Sequence, residues 1–100
     1  MKRADAVRAI YQALERTNAL REPPRQLACT EDTILYGVAG ALESLELVSL
    51  LVDVEEAIGQ MTGKPLVLAD EKAMSQRRNP FRDVRSLADY VMQRIGEGTA

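Results

Sequence analysis

The stretch LESLELVSLLVDVEEAIG, residues 42–59, constrains the fold more than any other part of the chain. Its apolar residues recur at Val48, Leu51, Val52, Val54 and Ile58, with Leu45, Leu47 and Leu50 crowding the first turns. That spacing follows a 3.6-residue period and not the alternation of a strand, so it predicts one amphipathic helix. Ser44 stands at its N-terminal edge and its outer face is acidic. Gly59 is placed to close it, because glycine takes the left-handed C-terminal conformation without a Cβ penalty.

The remaining elements are read around this helix. A first helix is predicted over about 4–18, with Ala6, Val7, Ile10, Tyr11 and Leu14 as its apolar stripe and Arg8, Glu15 and Arg16 facing water. It must end before Pro23-Pro24, since proline lacks the amide donor and disfavours helix in the residue before it. A long connection then runs to about Leu42, anchored by Leu27, Ile34, Leu35 and Tyr36, with Gly37 and Gly40 turning the backbone into the serine. Thr62-Gly63-Lys64-Pro65 reads as a turn, and Leu66, Val67 and Leu68 as extended loop packed on the core. A short helix is expected at about 71–75, capped by Asp70 and with Met74 facing inward. The final helix follows Phe81, with Asp83 as N-cap and Val84, Leu87, Ala88, Val91 and Ile95 as its buried stripe. Gly96 is expected to end it, leaving a loose tail over 97–100.

The chain of 100 residues is large enough for one domain and one modest core. Its aromatics are only Tyr11, Tyr36, Phe81 and Tyr90, so that core must be aliphatic, as suits a small helical bundle. The predicted class is therefore all-α: a four-helix bundle with a long first loop and a short third helix.

Histidine is absent and Cys29 is the only cysteine. This removes internal disulfides, His-ligated metals and histidine general bases, so chemistry at Ser44 would need a base from elsewhere. A substrate or carrier role is favoured over an enzyme. Cys29 reads as a passive thiol. No apolar run approaches a membrane span and none follows Met1-Lys2-Arg3-Ala4-Asp5 as a signal peptide would require, which points to the cytoplasm. The net charge of −2 hides an asymmetry: from Glu31 to Glu71 the chain carries nine acids against Lys64 alone. An acid cluster beside the serine reads as a surface that steers basic partners, the bland alternative being a solvated helix face. Arg77, Arg78, Arg82 and Arg85 form a basic patch, but without interleaved aromatics nucleic-acid binding is not expected.

Glu43-Ser44-Leu45 followed by an acidic and apolar helix resembles the Asp-Ser-Leu signature of acyl carrier proteins. Asp32-Thr33-Ile34-Leu35 is similar to the segment that precedes the signature in that family. The run from Phe81 through Arg82, Asp83, Val84, Arg85, Ser86 and Leu87 to Val91 is similar to its last helix and entry phenylalanine. Together the three segments span most of the chain from Asp32 to Ile95. The resemblance implies an acyl-carrier-like bundle in which Ser44 carries 4′-phosphopantetheine, transferred from coenzyme A by a phosphopantetheinyl transferase. The arm's thiol would hold an acyl cargo as a thioester.

By the same resemblance, Glu43, Leu45, Glu46, Leu47, Val52, Asp53, Glu55 and Glu56 would meet partners. These are the transferase and the acyl-activating, ligase, acyltransferase or synthase enzymes, through basic docking patches. Leu47 and Val52 would form an apolar lip near the arm. Two departures stand out: Glu43 replaces the family's aspartate, and Ser49 stands where an acid is common. Ser44 has a plainer reading as a helix cap, although Leu47 three residues on denies it a reciprocal capping box. The chain is expected to act as a monomer. The competing readings are an aminoacyl or D-alanyl (peptidyl-type) carrier and an unmodified interaction module on the same bundle.

Overall fold

A computed structural model describes residues 2–37, 40–68 and 80–98, the side chains of 97 and 98 excepted. Helix α1 spans Arg3–Ala19. The Lys2 amide donates to the Asp5 carboxylate at 3.0 Å, which occupies one donor left open at the helix start. The face turned inward is Ala6, Ala9, Ile10, Ala13 and Leu14. Val7 and Tyr11, expected in the central stripe, are only partly buried at its margin. Small alanines take the centre because α1 packs against both other helices, and close approach favours the smallest side chains.

The long connection is tied down residue by residue. Asn18 clamps Leu27 from both sides, its amide donating to the Leu27 carbonyl at 2.9 Å and its carbonyl accepting from the Leu27 amide at 2.8 Å. A single 3-10 turn, Pro23–Arg25, fills the gap between. Leu27, Leu35 and Leu42 are buried. Ile34 is not an anchor through its side chain, which is exposed. Its backbone instead forms an isolated antiparallel bridge with Asp83. Around that bridge the Leu35 amide donates to the Arg82 carbonyl at 2.7 Å and the Val84 amide to the Thr33 carbonyl at 3.1 Å.

Helix α2 spans Ser44–Thr62. It therefore starts two residues later than the apolar pattern predicts and passes straight through Gly59. The left-handed residue that ends it is Gly63, at φ +71°, whose amide donates to the Gly59 carbonyl at 2.8 Å. Leu47, Leu50, Leu51, Val54 and Ile58 form its buried face. Val48, part of the apolar pattern, is exposed, and so is Val52, which was expected on an apolar lip. Beyond Gly63 no regular element forms as far as Leu68; Leu68 is buried, Leu66 partly buried and Val67 exposed.

Helix α3 spans Val84–Gly98. Asp83 caps it as predicted, accepting from the Ser86 amide at 2.7 Å. Val84, Leu87, Ala88 and Val91 are buried, with Ile95 partly so. Phe81 is buried at the entry and meets Tyr90 edge-on, ring centroids 5.7 Å apart. Gly96 does not stop the helix: its φ is not positive and the helical backbone continues across 97 and 98, where a loose tail was expected.

The architecture is all-α and compact, with three helices and no strand among the described residues and a Cα radius of gyration of 12.7 Å. The short helix expected at 71–75, with Asp70, Met74, Arg77 and Arg78, lies outside the described residues. No helix among them is long and apolar enough to cross a membrane.

Candidate functional site

Glu43 occupies the N-cap of α2, and Ser44 is the first helical residue. The capping box that Ser44 could not complete exists one position earlier, between Glu43 and Glu46. The Glu43 amide donates to the Glu46 carboxylate at 3.2 Å. The Glu43 carboxylate leans over the third helical amide without forming a capping hydrogen bond of ordinary geometry. Glutamate is one methylene longer than the good caps, which accounts for the poor fit.

Ser44 is exposed, and its hydroxyl lies 3.2 Å from the Tyr36 hydroxyl, where either can donate. First-turn amides of a helix have no intrahelical acceptor, and the helix dipole puts partial positive charge at this end. An anionic group attached to Ser44 Oγ would meet that field. It would also meet the negative charge of the exposed Glu43 beside it.

Tyr36 is held by its surroundings. Its amide reaches the Arg82 carbonyl at 3.3 Å, and the Leu42 amide closes on the Leu35 carbonyl at 3.0 Å. The turn between them depends on Gly40: a Cβ there would stand 2.6 Å from the Tyr36 Cα, a backbone atom that cannot swing aside. Gly37 takes φ +122°, a conformation that side chains rarely adopt.

The acids of α2 do not form one free surface. Glu46 is engaged by Arg21, whose guanidinium also donates to the Ala41 carbonyl at 3.3 Å. The Glu43 amide first, and then Arg21, hold the Glu46 carboxyl below its ordinary value, against the desolvation that opposes them. Asp53 faces α1 and pairs with Arg16 at 3.5 Å. Glu55 accepts the Leu68 amide at 2.8 Å and so fastens the chain beyond α2. Glu56 is exposed and has no partner among the described residues.

Leu47, expected on an apolar lip, is fully buried, because the helix places it on the core side with Leu50 and Leu51. In the first half of α2 the exposed apolar residues are Leu45, Val48 and Val52, at 82%, 37% and 49% of full exposure. With Ser49 and Glu56 they follow the i, i+3, i+4, i+7 spacing of one helical face that begins beside Ser44. Of the basic patch, Arg85 is paired with Asp32 at 3.0 Å. Cys29 is exposed, and desolvation and then the charge of Glu15 push its thiol up, away from the reactive thiolate. A cavity of about 740 Å³ opens at the far end of α2, between Ile58, Met61, Leu66 and Ile95, and includes no residue of the Ser44 site.

Two residues of this site carry roles the sequence reading did not assign. Tyr36 was expected only as a loop anchor, and Arg21 was not singled out. Both act across folded distance, and nothing in their local sequence marks them. No protein-family model matches the chain, and no curated protein or solved structure shows significant similarity to it.

Proposed function

We propose that the chain is a carrier of the acyl-carrier type, with Ser44 as the attachment point for 4′-phosphopantetheine. The observation that carries this reading is the placement of Ser44: an exposed hydroxyl on the first residue of α2, at the head of the exposed face formed by Leu45, Val48, Val52 and Glu56. A second observation supports it. The segments at 32–35 and 81–84, which carry the family resemblance on either side of the signature, lie against each other through the Ile34–Asp83 bridge.

The arm would supply a thiol that holds an acyl cargo as a thioester. The chain's own residues do the rest. The first turn of α2 offers open amides and a positive dipole end to the phosphate, Tyr36 offers a hydroxyl, and the core behind Leu47 and Leu50 holds the helix rigid. Leu45, Val48, Val52 and Glu56 then offer partners an apolar strip with an acid beside it. Contacts of this kind favour rapid encounter and release, as a carrier moving between enzymes requires. In this reading the described helices are part of a four-helix carrier bundle that works as a cytoplasmic monomer and performs no catalysis.

The test is direct. Incubation with coenzyme A and a broad-specificity phosphopantetheinyl transferase should add a single arm, seen by intact mass spectrometry, and Ser44→Ala should abolish it while the variant stays folded. A wild type left unmodified by several transferases would sink the proposal in favour of an interaction module. Intact mass of protein from its native host would show whether the cargo is acyl or aminoacyl.

A further inference from the structure

We propose that Tyr36 is a positioning residue for the arm: its hydroxyl donates to a non-bridging oxygen of the phosphodiester on Ser44 and fixes the root of the arm. This inference rests on the carrier reading of Ser44. It starts from the 3.2 Å separation of the Tyr36 and Ser44 hydroxyls.

Modification forms a bond between Ser44 Oγ and the β-phosphorus of coenzyme A and breaks the bond from that phosphorus to the departing adenosine bisphosphate. The serine proton leaves to a base on the transferase, since the chain has no histidine to take it. Ser44 then no longer has a proton to donate, and its ester oxygen is a weak acceptor. The anionic oxygens on phosphorus are much better ones, and each lies one edge of the phosphate tetrahedron from Oγ. A hydroxyl already within hydrogen-bond distance of Oγ needs only a small rotation to reach one. The bond it then makes is charge-assisted and stronger than the neutral one it replaces.

The tyrosine is built to stay where it is. Its ring is partly buried against the core, and its amide is held by Arg82. Gly40 packs against its Cα, closer than any side chain would allow. The loop therefore delivers one hydroxyl to one place. Among the described residues no other side chain makes a hydrogen bond with the Ser44 hydroxyl.

The experiment compares wild type and Tyr36→Phe, each with and without the arm. The variant keeps the ring and its packing and removes only the hydroxyl. In the modified proteins the phosphorus-31 resonance should differ between wild type and variant when folded, and the difference should vanish in denaturant. Modification should also stabilise the wild type more than the variant, by about five- to tenfold in the folding equilibrium constant, as a partly exposed hydrogen bond to a charged group would. Identical phosphorus resonances and identical stability changes in two fully modified proteins would overturn the role of Tyr36 and leave the carrier reading intact. A wild type that accepts no arm would overturn both.

Discussion

Arg21, from the loop after α1, reaches across the first turn of α2 and closes on the carboxylate of Glu46. The Arg21 side chain is 16% exposed and its Nε is buried without a partner, so the guanidinium is committed to this corner. Glu46 in turn accepts the Glu43 amide. One carboxylate thus joins the long loop to the start of the helix that carries Ser44.

That arrangement predicts a pH dependence. The folded-state value of Glu46 is lowered, so its contribution is fully present above the ordinary glutamate value of about 4.3 and is lost as pH falls through the lowered one. Glu46→Gln should melt earlier than wild type at neutral pH, by on the order of a few degrees for a partly exposed pair. The gap should narrow as the pH drops below that range. Thermal melts of both proteins between neutral and strongly acidic pH check this; a constant gap would mean that the carboxylate charge is not what matters.

Glu43 sits at the N-cap without capping through its side chain. Aspartate keeps the charge and has the reach, so Glu43→Asp should stabilise the fold by about 0.5–1 kcal/mol. The helix-dipole interaction is the same for both acids, which leaves capping geometry as the cause. The same change restores the Asp-Ser-Leu signature, and in the carrier reading a general transferase should modify Ser44 faster. Denaturation midpoint and modification rate measured on one variant separate the two effects.

Glu55 and Glu56 are neighbours with different fates. Glu55 accepts the Leu68 amide, so Glu55→Ala should destabilise the protein by about 1–2 kcal/mol. Glu56 faces solvent, and Glu56→Lys should leave the melting temperature nearly unchanged. If the exposed face of α2 docks basic partners, Glu56→Lys should slow modification several-fold at low salt and much less at high salt, where exposed charges are screened. Equal rates at every ionic strength would show Glu56 to be a solvated acid and nothing more.

The helices were legible in the sequence because each buries a face with a 3.6-residue period, and Asp83 was legible as a cap because its chemistry is local. The helix ends at Gly59 and Gly96 were misplaced for one physical reason: glycine permits a stop without imposing one. At Gly59 the added Cβ would meet only an ordinary contact with the Lys64 carbonyl, at 3.6 Å, and the left-handed turn falls four residues later. Val48 and Val52 look like core in a list of apolar residues. Only the direction fixed by Leu47, Leu51 and Val54 shows that they point outward. The acids illustrate the opposite failure. Glu46, Asp53 and Glu55 read as one charged surface, yet each is engaged by a residue that periodicity does not place: Arg21, Arg16 and Leu68.

The bridge between Ile34 and Asp83 carries a consequence for how the protein matures. The Leu35 and Tyr36 amides share the Arg82 carbonyl, which lies roughly half the chain downstream. During synthesis α1 and α2 leave the ribosome while that acceptor is still inside it, and contacts this distant in sequence form late. The loop beneath Ser44 would take its shape only once Arg82 has emerged and α3 has docked. In the carrier reading, a transferase that recognises that shape would act only once Arg82 has emerged, so the order of translation itself would decide when the serine becomes a substrate.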